Sequence, residues 1–152
     1  MQIIGKNGLS GFIKILLMLV FAGGSVIFLG LPFLLKWYLT GFVYRSDAYA
    51  FLLVFLYFTG FFCLWIVYEM NKIFNTLNRK DPFRKDNVKS LERMSISSFI
   101  IGAAYVVKII CYNSFLTMII TMIFIILGLF LVVLAELFKQ AVRFKEENEL
   151  TI

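Results

Sequence analysis

Long uncharged stretches organise this chain. One runs from Ile15 to Leu35 between Lys14 and Lys36, and a second from Ala48 to Tyr68 between Asp47 and Glu69, each of 21 residues. A helix needs about 20 apolar residues to cross a bilayer core, so each stretch predicts one span. After Arg93 an uncharged run of 14 residues reaches Lys108, and a further run from Ile109 to Ala135 holds 27. Together they are too long for one crossing. The turn-like group Tyr112, Asn113 and Ser114 divides them into a third span at about 94–111 and a fourth at about 115–135.

The segment from Glu69 to Arg93 carries seven basic and four acidic residues and is too short to be a domain. Nothing breaks the helical pattern before Asn78, so the second helix is expected to continue through Met70 to Leu77. Pro82 disfavours helix at Asp81, and Asp86 or Asn87 is suited to cap a new helix running into the third span. The predicted unit is helix, tight turn, helix. After Ala135 the chain leaves the apolar run and ends in a tail, 136–152.

Composition agrees with a membrane chain: 61% of residues are hydrophobic and 16% charged, against about a quarter charged in a soluble domain. The net charge of +6 raises the question of nucleic acid. Position answers it. With both termini inside, 12 basic residues fall on the cytoplasmic side, leaving Lys36, Arg45 and Lys108 outside, the bias expected of cytoplasmic loops. No direct nucleic-acid contact is needed. The expected architecture is one all-α domain, 1–152, of four antiparallel transmembrane spans with cytoplasmic termini.

Smaller features fit this map. The first apolar run is longer than a signal-peptide core and lacks a clear cleavage site before Lys36, so it is expected to remain attached. Lys108 lies a turn from the outer face, where its stem lets the ammonium reach the headgroups. Trp37, Tyr38, Tyr44, Tyr49 and Tyr112 mark the outer interface, and Trp65 and Tyr68 the inner one. Ser95, Ser98 and Gly102, and then Thr117, Thr121, Gly128 and Ala135, form small-residue stripes that favour close helix packing. Cys63 and Cys111 are the only cysteines, and about 22 Å of helix separates Cys63 from the outer boundary near which Cys111 lies. No disulfide is expected.

The chemistry of catalysis is sparse. Histidine is absent, so imidazole chemistry is excluded, and no metal or cofactor is expected. Glu69, Arg93 and Glu136 fall at the inner ends of their spans. An ion-pair network there answers the cost of unpaired charge at a membrane boundary; gating and acid–base work are the other readings. Arg79, Lys80, Arg84, Lys85 and Lys89 form a cluster that attracts membrane lipid or an acidic protein. The tail ends Glu146, Glu147, Asn148, Glu149, Leu150, Thr151, Ile152. Three fates are open to it: a return onto the loop, with Phe83 covering Leu150 or Ile152; a docking peptide; or a frayed end.

The inner loop Lys80-Asp81-Pro82-Phe83, with Asn87-Val88 and Leu91, resembles the "G-x-P-F … N-V … L" loop of the bacterial family catalogued as domain of unknown function 2975. Leu134-Ala135-Glu136-Leu137-Phe138 and the acidic ending resemble that family's "A-E-x-F" and "E-E-N/D-D-L-T-I". Lys80 stands where glycine is common, and Glu149 where aspartate is. The resemblance implies a small multi-pass protein, with members often encoded beside a helix-turn-helix regulator. The expected role is a non-enzymatic sensor or relay to that cytoplasmic transcriptional regulator through Pro82, Phe83 and the tail. The alternative is a transport or immunity protein acting in the bilayer on a peptide, ion or lipid. Oligomeric state leaves no mark on the pattern.

Overall fold

A computed structural model describes residues 8–42 and 48–150. The described residues form five helices: α1 (Leu9–Leu29), α2 (Leu31–Phe42), α3 (Tyr49–Asn78), α4 (Lys85–Cys111) and α5 (Phe115–Leu150). Four of them, all but α2, are long and apolar enough to cross a membrane. At about 1.5 Å rise per residue, the 30 residues of α3 and the 36 of α5 exceed a bilayer core of about 30 Å. Each therefore projects beyond it.

The first apolar run does not form one helix from Ile15 to Leu35, as its composition predicts. α1 starts six residues earlier, at Leu9, and ends at Leu29, with Gly30 as its C-cap. The ladder still carries Gly30 N–H to Val26 and Leu34 N–H to Gly30, but Pro32 has no N–H to offer and its ring crowds the preceding turn. Two helices result. α2 has 12 residues, too few to span, and it buries Leu35 and Leu39 while exposing Phe33 and Trp37. The Tyr49 hydroxyl donates to the Pro32 carbonyl at 3.4 Å and ties this corner to α3.

α4 packs against both α3 and α5, and the core lies among these three. Ile66 of α3, Leu91, Met94 and Ile101 of α4, and Leu131 and Ala135 of α5 form it. The small residues set the helix separation. The Ser95 hydroxyl donates to the Gly128 carbonyl at 3.2 Å across the α4–α5 contact, and a Cβ on Gly128 would stand 2.9 Å from the Phe99 ring. Thr59, Ser98 and Thr121 return their hydroxyls to carbonyls four residues earlier, which satisfies them where no water is available. Gly24 and Gly60 give α1 the same close approach to Leu64 and from Phe28.

Helix α3 continues to Asn78 and the fourth span begins after the Tyr112–Ser114 break, as the pattern predicts. The α3–α4 turn is built differently from the expected cap. Asp81 N–H bonds to Thr76 O and Lys80 N–H to Leu77 O, both near 3.1 Å, with Lys80 at φ 59°. This is the Schellman termination, whose left-handed position glycine fills best. α4 then starts from Arg84 with no side-chain cap. Asp86 lies in its first turn, and the Asn87 amide reaches backward instead, donating to Pro82 O and Thr76 Oγ1 at 2.6 Å each. Replacing Lys80 by Gly should relieve the left-handed strain and stabilise the protein by about 1 kcal/mol in thermal or denaturant unfolding in detergent; a loss of stability would refute this account of the turn.

Candidate interaction surface at the basic end

The ends of α3 and α5 beyond the apolar runs, together with the α3–α4 turn and the start of α4, make one basic end. Glu69 is its deepest charge, fully buried. Arg93 Nη1 lies 3.3 Å from Glu69 Oε1, and Lys72 Nζ lies 3.7 Å from Oε2 while also standing 4.8 Å over the Tyr68 ring. Two cations from two helices thus hold a carboxylate removed from water. Glu136 takes no part. It is exposed on α5, and among the described residues it forms no ion pair with Arg93.

The end of α5 is fastened to the turn. Phe83 meets Phe138 ring to ring, 5.5 Å between centroids. Lys85 Nζ lies 3.2 Å from Glu146, and Lys145 Nζ donates to Asp81 at 2.9 Å. Arg84 stands between Asp81 and Asp86, at 3.9 and 3.8 Å. On the other side of α3, Lys14 Nζ of α1 donates to Asn75 Oδ1 at 2.9 Å. Lys89 is exposed and has no ion-pair partner among the described residues.

The tail neither folds back nor frays before Leu150. α5 carries Glu146, Glu147 and Leu150 in unbroken helix, since Gln140 to Glu147 contains no glycine, proline or asparagine to stop it and the helix runs on through Asn148. Leu150 is 86% exposed, and Phe83 packs on Phe138 rather than on Leu150; Ile152 lies outside the described residues. Beside Phe83, a groove of about 350 Å³ lined by Ala141, Phe144, Lys145 and Asn148 follows α5. Pro82 is half-buried and serves the turn through its carbonyl.

Several contributors escaped the sequence pattern. Lys72 pairs with Glu69 at a spacing of three, a helical neighbour relation readable from the chain alone. Lys14–Asn75 and Lys145–Asp81 span 61 and 64 positions, and only the fold makes them neighbours.

The hydrogen bond from Lys145 is the main cause that lowers the Asp81 pKa, with charge attraction from Lys145 and Arg84 adding to it. The same bond raises Lys145. The signs follow. A depressed carboxyl contributes stability that is present above its unfolded pKa and lost as pH falls through the lower folded value.

This arrangement defines an all-α protein with four helices capable of crossing a membrane. The chain belongs to the family described as Protein of unknown function (DUF2975), whose profile matches residues 28–152. No curated protein and no solved structure matches it.

Two outcomes test the charge arrangement. Arg93→Ala should destabilise the detergent-solubilised protein by about 1–3 kcal/mol, since it strips a buried carboxylate of its nearest partner. In a Glu69→Gln background the same change should cost clearly less, and strict additivity would show that the pair does not interact. Separately, Asp81→Asn should lower the thermal midpoint at neutral pH, with variant and parent converging as pH falls below the ordinary aspartate range; a constant gap across that range would remove the tie.

Proposed function

We propose that the protein is a non-enzymatic relay of the bacterial inner membrane, with both termini and the basic end in the cytoplasm, passing a membrane condition to a soluble transcriptional regulator. One observation carries this reading: α5 leaves its apolar run without a break and presents an exposed apolar edge, Phe144 at 66% and Leu150 at 86%, beside the Phe83 groove. Exposed apolar side chains on a helix that has left the lipid invite a protein partner. The partner that suits them is a small helix-turn-helix regulator, of the kind the family resemblance implies.

The inside placement rests on the basic bias of the α3–α4 turn and of the α5 end. In a cysteine-free background, single cysteines at Asp81 and at Asn113 should differ in intact cells, with an impermeant thiol reagent reaching only position 113. Labelling at position 81 alone would invert the map.

Deleting Glu147 to Ile152 should leave insertion and expression intact while abolishing capture of the regulator and its transcriptional response. The charge ties at Asp81 and Lys85 lie before the deletion and keep the turn fastened. Unchanged capture and response would favour the rival reading, a transport or immunity protein that acts inside the bilayer.

A further inference from the structure

Between the ends of α3 and α4 lies a cleft of about 380 Å³. Lys72 of α3 and Arg84, Lys89 and Arg93 around α4 line it, with Asp86 the single acid on its wall. Glu69 lies within ion-pair distance of Arg93 and Lys72. Asp81 also pairs with Arg84, so four cations stand against three carboxylates and the cleft keeps one positive charge in excess. The positive charge is concentrated where Lys89 has no acidic partner.

A second observation comes from Ser90. It is only 4% exposed and lines the same cleft, yet its hydroxyl makes no hydrogen bond among the described residues. Its oxygen is not sealed off from the cleft, so the hydroxyl can donate to an acceptor that enters. The neighbouring polar groups are already committed: Asn87 donates to Pro82 O and Thr76 Oγ1, and Thr76 donates to Ile73 O. The cleft therefore offers the Ser90 hydroxyl, the unpaired ammonium of Lys89, and Lys72, whose ammonium stands 3.7 Å from Glu69 and keeps protons free to donate to whatever enters.

An oxyanion with several acceptor oxygens meets all three. A phosphate does so and carries the charge that the cleft lacks. The location selects its carrier. Trp65 and Tyr68, 40% and 48% exposed, mark the end of the α3 apolar run, and Lys72 follows Tyr68 by one turn. Indole and phenol rings at that position mark headgroup depth. We propose that this cleft is a binding site for the phosphate of an anionic phospholipid headgroup, with Lys72, Lys89 and Ser90 as its direct ligands. Arg84 and Arg93, each already paired with acids, supply field rather than contact.

The site does not depend on the regulator reading or on which way the chain is inserted. The neighbouring groove between α4 and α5, about 330 Å³, shares Lys89 and sets Lys85, Lys139 and Arg143 beside Glu92 and Glu146, but no hydroxyl lines it. That groove provides the control.

The test uses the full chain in phosphatidylcholine nanodiscs, titrated with phosphatidylglycerol, with bound lipid counted by native mass spectrometry. The parent should hold one phosphatidylglycerol in preference to phosphatidylcholine. Lys72→Gln should weaken that binding about fivefold, the worth of one basic side chain near an anionic headgroup. Ser90→Ala, which removes a single oxygen and leaves the helix intact, should weaken it in the same direction. Lys139→Gln, in the control groove, should not. Displacement by inorganic phosphate would assign recognition to the phosphate alone, and resistance to it would assign the site to the lipid-borne headgroup. No preference for phosphatidylglycerol, equal binding by the parent, Lys72→Gln and Ser90→Ala, or an equal loss in Lys139→Gln would overturn the proposal.

Discussion

The close approach of α4 to α5 is the contact on which the other arrangements rest. In hydrocarbon, apolar side chains gain little by leaving lipid for protein, so helix pairing depends on shape and on hydrogen bonds. Gly128 admits the Phe99 ring, Gly102 admits Ile125, and Ser95 bonds to the Gly128 carbonyl. A larger side chain at Gly128 would displace that ring. With α4 fixed against α5, its other face is free to take α3, and Met94 and Ile101 lie fully buried between them.

That core extends into the basic end without a change of partners. Leu91 and Val88 are buried one and two turns before Met94, and Phe83 carries the apolar contact to Phe138. Charge enters only at the margins of this seam. Glu69 is the exception, and two cations answer its burial. The result is a rigid corner whose surface charges are held by helices rather than by a mobile loop.

Much of this was legible in the chain. Uncharged run lengths located the spans because a bilayer sets a length scale that sequence must match, and Asn78, Pro82 and Tyr112–Ser114 marked the turns because only a few residue types stop a helix. The small stripes on α4 and α5 were readable for the same geometric reason. Four features were not. The break at Gly30 hides inside an apolar run of adequate length, where a single proline decides between one helix and two. The separation of Glu136 from Glu69 and Arg93 depends on helix rotation, which common depth along the chain does not fix. Asn87 is spent on the turn rather than on the cap because the left-handed step at Lys80 brings the Pro82 carbonyl within its reach. The Ser90 cleft could not be foreseen, since its walls come from two helices and its sign depends on which charges are already neutralised.

The continuity of α5 has a mechanical consequence. Its 36 residues form a rod of about 54 Å, with the apolar run at one end and Leu150 at the other. Transmembrane helices adjust their tilt when the surrounding hydrocarbon thickens or thins. For a stiff rod of that length, a tilt of about 10° about its midpoint carries the far tip sideways by about 5 Å. The Phe83–Phe138 contact and the Lys85–Glu146 and Lys145–Asp81 ties lie along the lever arm, so the turn is drawn with it. Any tilt of α5 would therefore move the turn and the exposed Leu150 tip as one piece.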